Sequence, residues 1–247
     1  MSRVDQVLVE RGICESREKA RRAVLAGQVR VNGQRASKPS DPVKTTDDVT
    51  IDQPEKYVSR GGLKLEHGLA HFQLNVSGQT AIDLGASTGG FTDCLLQAGA
   101  ARVFAVDVGH GQLAWKLRQD PRVVVMEKTN ARSLTASHFS TAYLPCDLVV
   151  ADCSFISLKK ILPAAIALLG SPGRILALVK PQFEAGRAEA DKGAGVIKDP
   201  AIHARVLREL KEFVEHETAL CWRGETESPL MGPAGNKEFL ILLEKSA

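Results

Sequence analysis

The sequence lacks a continuous apolar segment of the roughly 20 residues that a membrane-spanning helix needs. It has no apolar signal core near Met1 and no internal repeat or low-complexity tract. The expectation is a soluble, cytoplasmic protein without a membrane partner. Cysteine is sparse. Cys14, Cys94, Cys146, Cys153 and Cys221 are scattered, odd in number and never spaced as CxxC, which excludes a disulfide framework or a zinc ribbon and leaves reduced, structural thiols. His67 and His71 lie four apart on a predicted helix but have neither the Glu of HExxH nor a third ligand, so no metal is expected. Charge imbalance is small as well, with a net charge of +3.

That small surplus is unevenly placed. Residues 1–60 hold 12 Lys and Arg against 9 Asp and Glu, so the whole excess over the chain's 32 and 29 lies in its first quarter. Val4, Val7 and Leu8 outline one helix that Gly12 ends. Ser16 can cap a second, Arg17 to Leu25, stopped by Gly27. Val29 to Arg35 alternates around Asn32-Gly33, a strong hairpin signal. Arg3, Arg11, Arg17, Lys19, Arg21, Arg22, Arg30 and Arg35 thus collect on a small α+β module, a basic footprint for an anionic polymer. Pro42, Asp47-Asp48 and Pro54 mark its end, giving a module over 1–55, a linker over 56–62 and a main domain over 63–247.

From Thr80 onward, strands and helices alternate. Strands are predicted near Thr80–Asp83, Arg102–Asp107, Val123–Glu127, Asp147–Asp152, Arg174–Lys180, Ala219–Gly224 and Phe239–Leu243. Helices are predicted over Val58–Val76, Phe91–Ala98, Gln112–Arg118, Leu158–Leu169 and Ala201–Glu215. This is the pattern of an α/β, doubly wound, mainly parallel seven-stranded sheet, with the last two strands pairing antiparallel at one edge.

The densest chemistry lies in AIDLGASTGGF, Ala81 to Phe91: a strand ending in Asp83, a glycine-rich turn, then a helix start. A backbone that must approach a nucleoside closely is written this way. Asp107 ends the next strand about 20 residues beyond the turn, the spacing of a ribose-binding carboxylate. Asp83, Asp107, Glu127, Asp152 and Lys180 all close predicted strands, on the side where open α/β sheets bind ligands. Lys180 precedes Pro181, which keeps it extended at the rim, where a partly desolvated lysine can act as a base or steer a hydroxyl.

Two resemblances sharpen this. RVDQVLVERGICESREKARRAVLAGQVRVNGQ resembles the RNA-binding domain named after ribosomal protein S-four, which implies that the first 55 residues contact structured RNA through phosphates. The order Lys64, Asp152, Lys180, Glu238 resembles the Lys-Asp-Lys-Glu tetrad of FtsJ-like ribose 2′-O-methyltransferases. The contexts SRGGLKLEHGL, DLGASTGGFTDCLLQAGA, VVADCSFISL, LVKPQFEAGR and GNKEFLILL are similar to the TlyA family in particular, whose members bear the names haemolysin and rRNA methyltransferase. The linker carries Tyr57 where some members have tryptophan.

The resemblance implies a Rossmann-like methyltransferase sheet. Gly85, Ser87, Gly89, Gly90 and Phe91 would line S-adenosylmethionine, Asp107 would hold its ribose, Glu127 and Asn130 would lie near the adenine, and Asp83 near the methionine end. Lys180 would deprotonate or orient a 2′-hydroxyl, with Lys64, Asp152 and Glu238 positioning it. The implied substrate is a cytidine of ribosomal RNA in an assembled or assembling subunit, the large one and the small one as a further target, with no obligate protein partner.

Competing readings are weaker. Gly85-Ala-Ser-Thr-Gly89 fits the GxSxG nucleophile elbow, but the turn runs on through Gly90 and an esterase needs no basic module. DLGASTGG does not supply the three glycines of a dinucleotide fingerprint. No segment reads better as a bilayer-disrupting helix than as a core element. A non-catalytic assembly factor gives no reason for a filled tetrad. The glycine- and charge-rich stretch from Phe183 to Pro200 reads as a mobile flap.

Overall fold

The structure, a computed structural model, describes residues 1–52, 55–139 and 145–245. The chain forms two compact units, Met1–Lys56 and Tyr57–Ala247.

In the first unit, β1 (Ser2–Arg3) leads into α1 (Val4–Glu10) and α2 (Arg17–Leu25), followed by β2 (Val29–Val31), β3 (Gln34–Arg35), β4 (Pro42–Val43) and β5 (Val49–Ile51). Ser16 caps α2 by accepting from Lys19 N at 3.3 Å, an interaction that typically contributes about 1 kcal/mol. The β2–β3 hairpin turns on Asn32 and Gly33, both at positive φ as a two-residue turn of this kind requires. β5 adds antiparallel to the other side of β2, a third strand that the short Val49–Ile51 run did not announce. Val4, Leu8, Ala20, Val24 and Val29 make the core, all at most 2 % exposed.

The second unit opens with α3 (Gly61–His71) and continues through β6 (Thr80–Leu84), α4 (Gly90–Gln97), β7 (Arg102–Val106), α5 (Trp115–Arg118), β8 (Val123–Met126), β9 (Cys146–Ala151), α6 (Leu162–Leu168), β10 (Leu169–Val179), α7 (Pro181–Glu184), α8 (Arg187–Lys192), α9 (Pro200–Glu217), β11 (Leu220–Glu227) and β12 (Phe239–Lys245). Among the described residues seven strands form one sheet in the order β11-β12-β10-β9-β6-β7-β8. The run from β10 through β8 is parallel, while β12 pairs antiparallel with both β10 and β11. The order of the parallel strands reverses beside β6, so the ends of β6 and β9 flank the crevice where such sheets bind ligands.

The sheet is buried on both faces. On one side Leu162, Leu168, Val206, Leu210 and Val214 of α6 and α9 pack on Ile82, Val149 and Ile175. On the other, Leu65, Leu69, Leu95 and Leu117 of α3, α4 and α5 pack on Ala81, Val150 and Leu176. Near-continuous apolar strands follow from this double burial.

Several elements differ from expectation. α3 is shorter than Val58–Val76 because Gln73 takes a left-handed conformation (φ 53°) just after the C-cap Phe72. Tyr57, read as linker, is buried against this unit, its ring lying where a side chain on Gly62 would collide. α5 is one turn long because the residues before it are drawn to strand-end carboxylates, His110 and Gly111 to Glu127 and Gly109 to Asp107. The stretch from Phe183 to Pro200 contains α8, and its far end is pinned: Asn236 donates to Gly195 O at 2.9 Å and accepts from Ile197 N at 2.8 Å, while His203 is hydrogen-bonded to Ile197 O.

Candidate active site

Beyond the ends of β6 and β9, the chain turns sharply at Gly85. Its φ is +85°, and a Cβ there would stand 2.9 Å from the Asp152 carbonyl oxygen, so the loop touches the neighbouring strand end backbone to backbone. Gly89 at φ 98° then starts α4, as an N-cap with no side chain in the way. The loop is held on its far side by Asp107, whose carboxylate accepts from Ser87 N at 2.8 Å and from Gly109 N at 2.6 Å. Each carboxylate oxygen has two acceptor positions, so Asp107 retains capacity for ribose hydroxyls.

Two adjoining cavities share Gly85, Ser87, Asp152 and Ser154 in their walls. The first, about 450 Å³, is lined by Asp107, Gln112 and Asn130 for polar contacts and by Val108, Ala131 and Ile156 for apolar ones. The second, about 300 Å³, takes in Gly90 and Phe91, then Lys64, Lys180 and Glu238, with Arg60 at its edge.

The second cavity brings the four tetrad residues together. Lys64 of α3 pairs with Glu238 at 2.5 Å, and both are buried. Lys180, the residue after β10, pairs with Asp152, the residue after β9, at 2.6 Å, and donates to Ser154 Oγ at 2.8 Å. A buried ion pair, Lys64–Glu238, beside a partly buried one, Lys180–Asp152, has no packing advantage over apolar residues of the same volume. Their retention points to chemistry. Ser154 was missed in the sequence; its only signal was its place two residues past a strand-ending aspartate.

Three expected cofactor residues line neither cavity: Asp83, Gly89 and Glu127. Asp83 lies fully buried beneath the loop. Its Oδ2 accepts from Thr92 Oγ1 at 2.7 Å, its Oδ1 has no partner, and burial together with the nearby Asp152 pushes its carboxyl up to about 7. Glu127 is engaged by the loop beside it. It accepts from Gly111 N at 2.8 Å and pairs with Arg118 and His110, which hold its carboxyl down to about 2. Burial raises the thiols of Cys146 and Cys153 to about 12, so neither is a nucleophile. Ser87, the residue a hydrolase would use, is hydrogen-bonded to Gln112 Oε1 at 3.3 Å. Among the described residues no cluster could hold a metal ion, and no helix is long and apolar enough to cross a membrane. His67 bonds Thr226 Oγ1 and stacks on His71.

In the first unit most of the eight basic candidates are already engaged. Arg3 and Arg17 converge on the buried Asp5, and the Arg3 hydrogen bond holds that carboxyl below its ordinary value. Arg11 donates to the carbonyls of Lys44, Thr45 and Asp47, and Arg35 to those of Ala26 and Gly27. Arg30 pairs with Asp52, Lys19 with Glu15 and Arg22 with Glu18, all on the surface. Arg21 is exposed on α2.

The model of the FtsJ-like methyltransferase family matches residues 57–245. The chain belongs to that family. An S4 domain matches residues 2–49. The 16S/23S rRNA (cytidine-2′-O)-methyltransferase TlyA of Mycobacterium tuberculosis is 46 % identical, over 98 % of this chain and 89 % of the relative. Hemolysin A of Brachyspira hyodysenteriae is 41 % identical over 96 % and 98 %. A solved hemolysin-named protein from Streptococcus thermophilus superposes with a TM-score of 0.75 at 45 % identity, covering 99 % of this chain and 88 % of that one.

S-adenosylmethionine is the methyl donor of this methyltransferase, and the cavities fit it. The larger one offers an acidic residue at the end of β7 and a mixed apolar and amide wall for a nucleoside. The glycine turn leaves room where a Cβ would intrude, and the buried, unpartnered Asp83 Oδ1 beneath the loop favours a cation nearby.

Proposed function

We propose that this methyltransferase modifies the ribose 2′-hydroxyl of a cytidine in ribosomal RNA, in the large subunit and, as a further target, the small one. The observation that carries the reading is the two ion pairs, the buried Lys64–Glu238 and the partly buried Lys180–Asp152, in a cleft next to the glycine turn. The name of the full-length TlyA relative supports the substrate.

In this reading Asp107, Gln112 and Asn130 hold the adenosine half of the cofactor, and Gly85, Ser87, Gly90 and Phe91 border its methionine half. When bound, the cofactor supplies a methyl group already activated on a sulfonium. Lys180 donates one N–H to Ser154 and stands 2.6 Å from Asp152 as an ion pair, and a further N–H donates to the 2′-oxygen, orients its lone pair and stabilises the negative charge that develops on it. Asp152, in reach of the same point, takes the hydroxyl proton. Lys64 and Glu238 neutralise one another and hold the opposite wall. The tetrad's summed charge is zero, so the cleft admits a phosphate-flanked nucleotide without a bare carboxylate facing it. Alignment supplies most of the remaining rate enhancement.

The first unit, with 1–55 as its RNA-binding module, engages the RNA backbone. Arg21 and the surface-paired Lys19, Arg22 and Arg30 are the cations that phosphates can recruit. Arg3, Arg11, Arg17 and Arg35 chiefly hold the module's own chain. A cytoplasmic location follows from an rRNA substrate.

The test is transfer of labelled methyl from S-adenosylmethionine to separated ribosomal subunits by wild type and Lys180→Ala, followed by alkaline hydrolysis. Label in an alkali-resistant dinucleotide, absent with the variant, is expected. Cofactor binding without label on either subunit would refute the reading and favour an assembly factor.

A further inference from the structure

The segments that leave β9 and β10 run side by side and are tied together at two levels. At the first, Lys180 meets Asp152 and donates to Ser154 Oγ. At the second, further along both segments, Glu184 accepts from Ser157 Oγ at 2.6 Å and from Leu158 N at 2.7 Å. Pro181 starts α7 directly after Lys180, and Phe183 N and Ala185 N donate to Lys180 O and Pro181 O, so one closed turn joins Lys180 to Glu184. Glu184, Ser157 and Leu158 line neither cofactor cavity, and the methyl transfer described above makes no use of this second tie.

What lies between the two ties shows what the second one does. Asp152 needs no help, because its N–H donates to Leu84 O at 3.0 Å and the sheet fixes it. Ser154, Phe155 and Ile156 lack that support: among the described residues none of them makes a backbone hydrogen bond. Phe155 is held at φ 64°, a left-handed conformation that a bulky side chain keeps only under constraint. A stretch of this kind holds its shape only if both ends are fixed. The sheet fixes the end at Asp152, and Glu184 fixes the end at Ser157. Both carboxylate oxygens go to this one loop, although burial raises the Glu184 carboxyl above its ordinary value and opposes its charge.

We propose, on the ribose-methylation reading above, that Glu184 is a positioning residue for methyl transfer: by anchoring Ser157 and Leu158 it keeps Ser154 against the Lys180 ammonium and so sets the direction of the N–H that meets the 2′-oxygen. Lys180 reaches the site on a flexible four-carbon stem that ends in three rotatable donors. The ion pair with Asp152 alone leaves the ammonium free to turn. Ser154 supplies a second contact, and two contacts define where the remaining N–H points. Without Glu184 the loop relaxes at Phe155, Ser154 leaves Lys180, and the ammonium keeps its charge but loses its aim.

The test measures kcat on whichever ribosomal subunit wild type methylates. S-adenosylmethionine is kept saturating, because Ser154, Phe155 and Ile156 also border the larger cofactor cavity and their movement weakens cofactor binding separately. Glu184→Ala should lower kcat by roughly 10- to 100-fold, the scale of misplacing a reacting group by about 1 Å. Ser154→Ala should lower kcat by a similar factor, and adding Glu184→Ala to it should cost nothing more, since both changes free the same ammonium. Glu184→Gln should recover most of kcat, with its oxygen accepting from Leu158 N and its N–H donating to Ser157 Oγ. A brace that serves stability alone would lower the melting temperature and leave kcat of the folded enzyme unchanged, and that result overturns the inference while the function stands. Losses that multiply in the double variant overturn it too, as does a Glu184→Gln as slow as Glu184→Ala. Should Glu184→Ala not fold, Ser157→Ala takes its place in the cycle with Ser154→Ala, under the same expectation and the same refutation. Absence of ribose methylation by wild type on any subunit is a different result, which removes the function itself and this inference with it.

Discussion

Consider Glu238→Gln. The substitution removes one charge and almost no volume, from a side chain only 1 % exposed, and leaves Lys64, 9 % exposed, without its partner 2.5 Å away. An uncompensated charge of this kind costs about 3–5 kcal/mol. For a cooperative unit near 190 residues, each kcal/mol moves the midpoint by roughly 2–4 °C, so the second unit's transition should fall by about 6–20 °C. The double variant Lys64→Met, Glu238→Gln removes both charges and should recover most of that loss, since a buried pair is worth little against neutral groups of similar volume. Methyl transfer should stay lost in both variants, because the wall opposite Lys180 is gone. Calorimetry on the four proteins of the cycle, together with the subunit assay, measures this directly. If the double variant unfolds as early as Glu238→Gln, the pair itself stabilises the fold and the claim that it is kept for chemistry fails.

Three further outcomes follow from the same geometry. Asp83 titrates near 7 when folded and near 4 when unfolded, so the folded chain binds its proton more tightly: stability is highest below about pH 4, declines as pH rises to about 7 and is level beyond, by up to about 4 kcal/mol. Denaturant melts of wild type and Asp83→Asn from pH 5 to 8 should converge at the low end and separate at the high end, and parallel curves would contradict the assignment. Gly85→Ala forces a Cβ to 2.9 Å from the Asp152 carbonyl at a φ of +85°, a strain of roughly 1–3 kcal/mol; calorimetric titration should show S-adenosylmethionine affinity falling at least tenfold. In the first unit, Arg11→Ala should lower thermal stability by freeing three carbonyls, whereas Arg21→Glu should leave stability unchanged and weaken rRNA binding in a salt-dependent way.

Why some of this was legible in sequence and some was not has a physical answer. Strand ends were readable because a parallel sheet buried on both faces writes each strand as an apolar run and must change character where it meets solvent. Asp83, Asp107, Glu127, Asp152 and Lys180 all fall at those changes, within one or two residues of the strand ends. What a strand-end carboxylate touches is decided by how the neighbouring loops and helices fold back on it, and there the sequence is silent. Glu127 and Asp107 ended successive strands in the same way. Yet Arg118, nine residues earlier, claims Glu127, while Asp107 takes two backbone N–H groups and keeps its cavity face. Asp83 lies inside β6, one residue before its end, and there meets Thr92 of α4.

The basic module shows the same limit from the other side. Eight cations in 33 residues read as one RNA-facing surface, but a unit of 56 residues with a core this small needs side chains to close its own backbone. Arg11 and Arg35 are long enough to reach carbonyls that no strand pairs, and Arg3 and Arg17 are what allow Asp5 to be buried at all. A count of positive charge therefore overstates the number of phosphates this module can engage. The cations free to bind RNA are those whose partners are surface carboxylates, because such exposed pairs contribute at most about 1 kcal/mol and a phosphate can replace the carboxylate. The salt dependence of rRNA binding should accordingly reflect Lys19, Arg21, Arg22 and Arg30 rather than all eight, and removing Arg11 should weaken binding only as far as it loosens the fold.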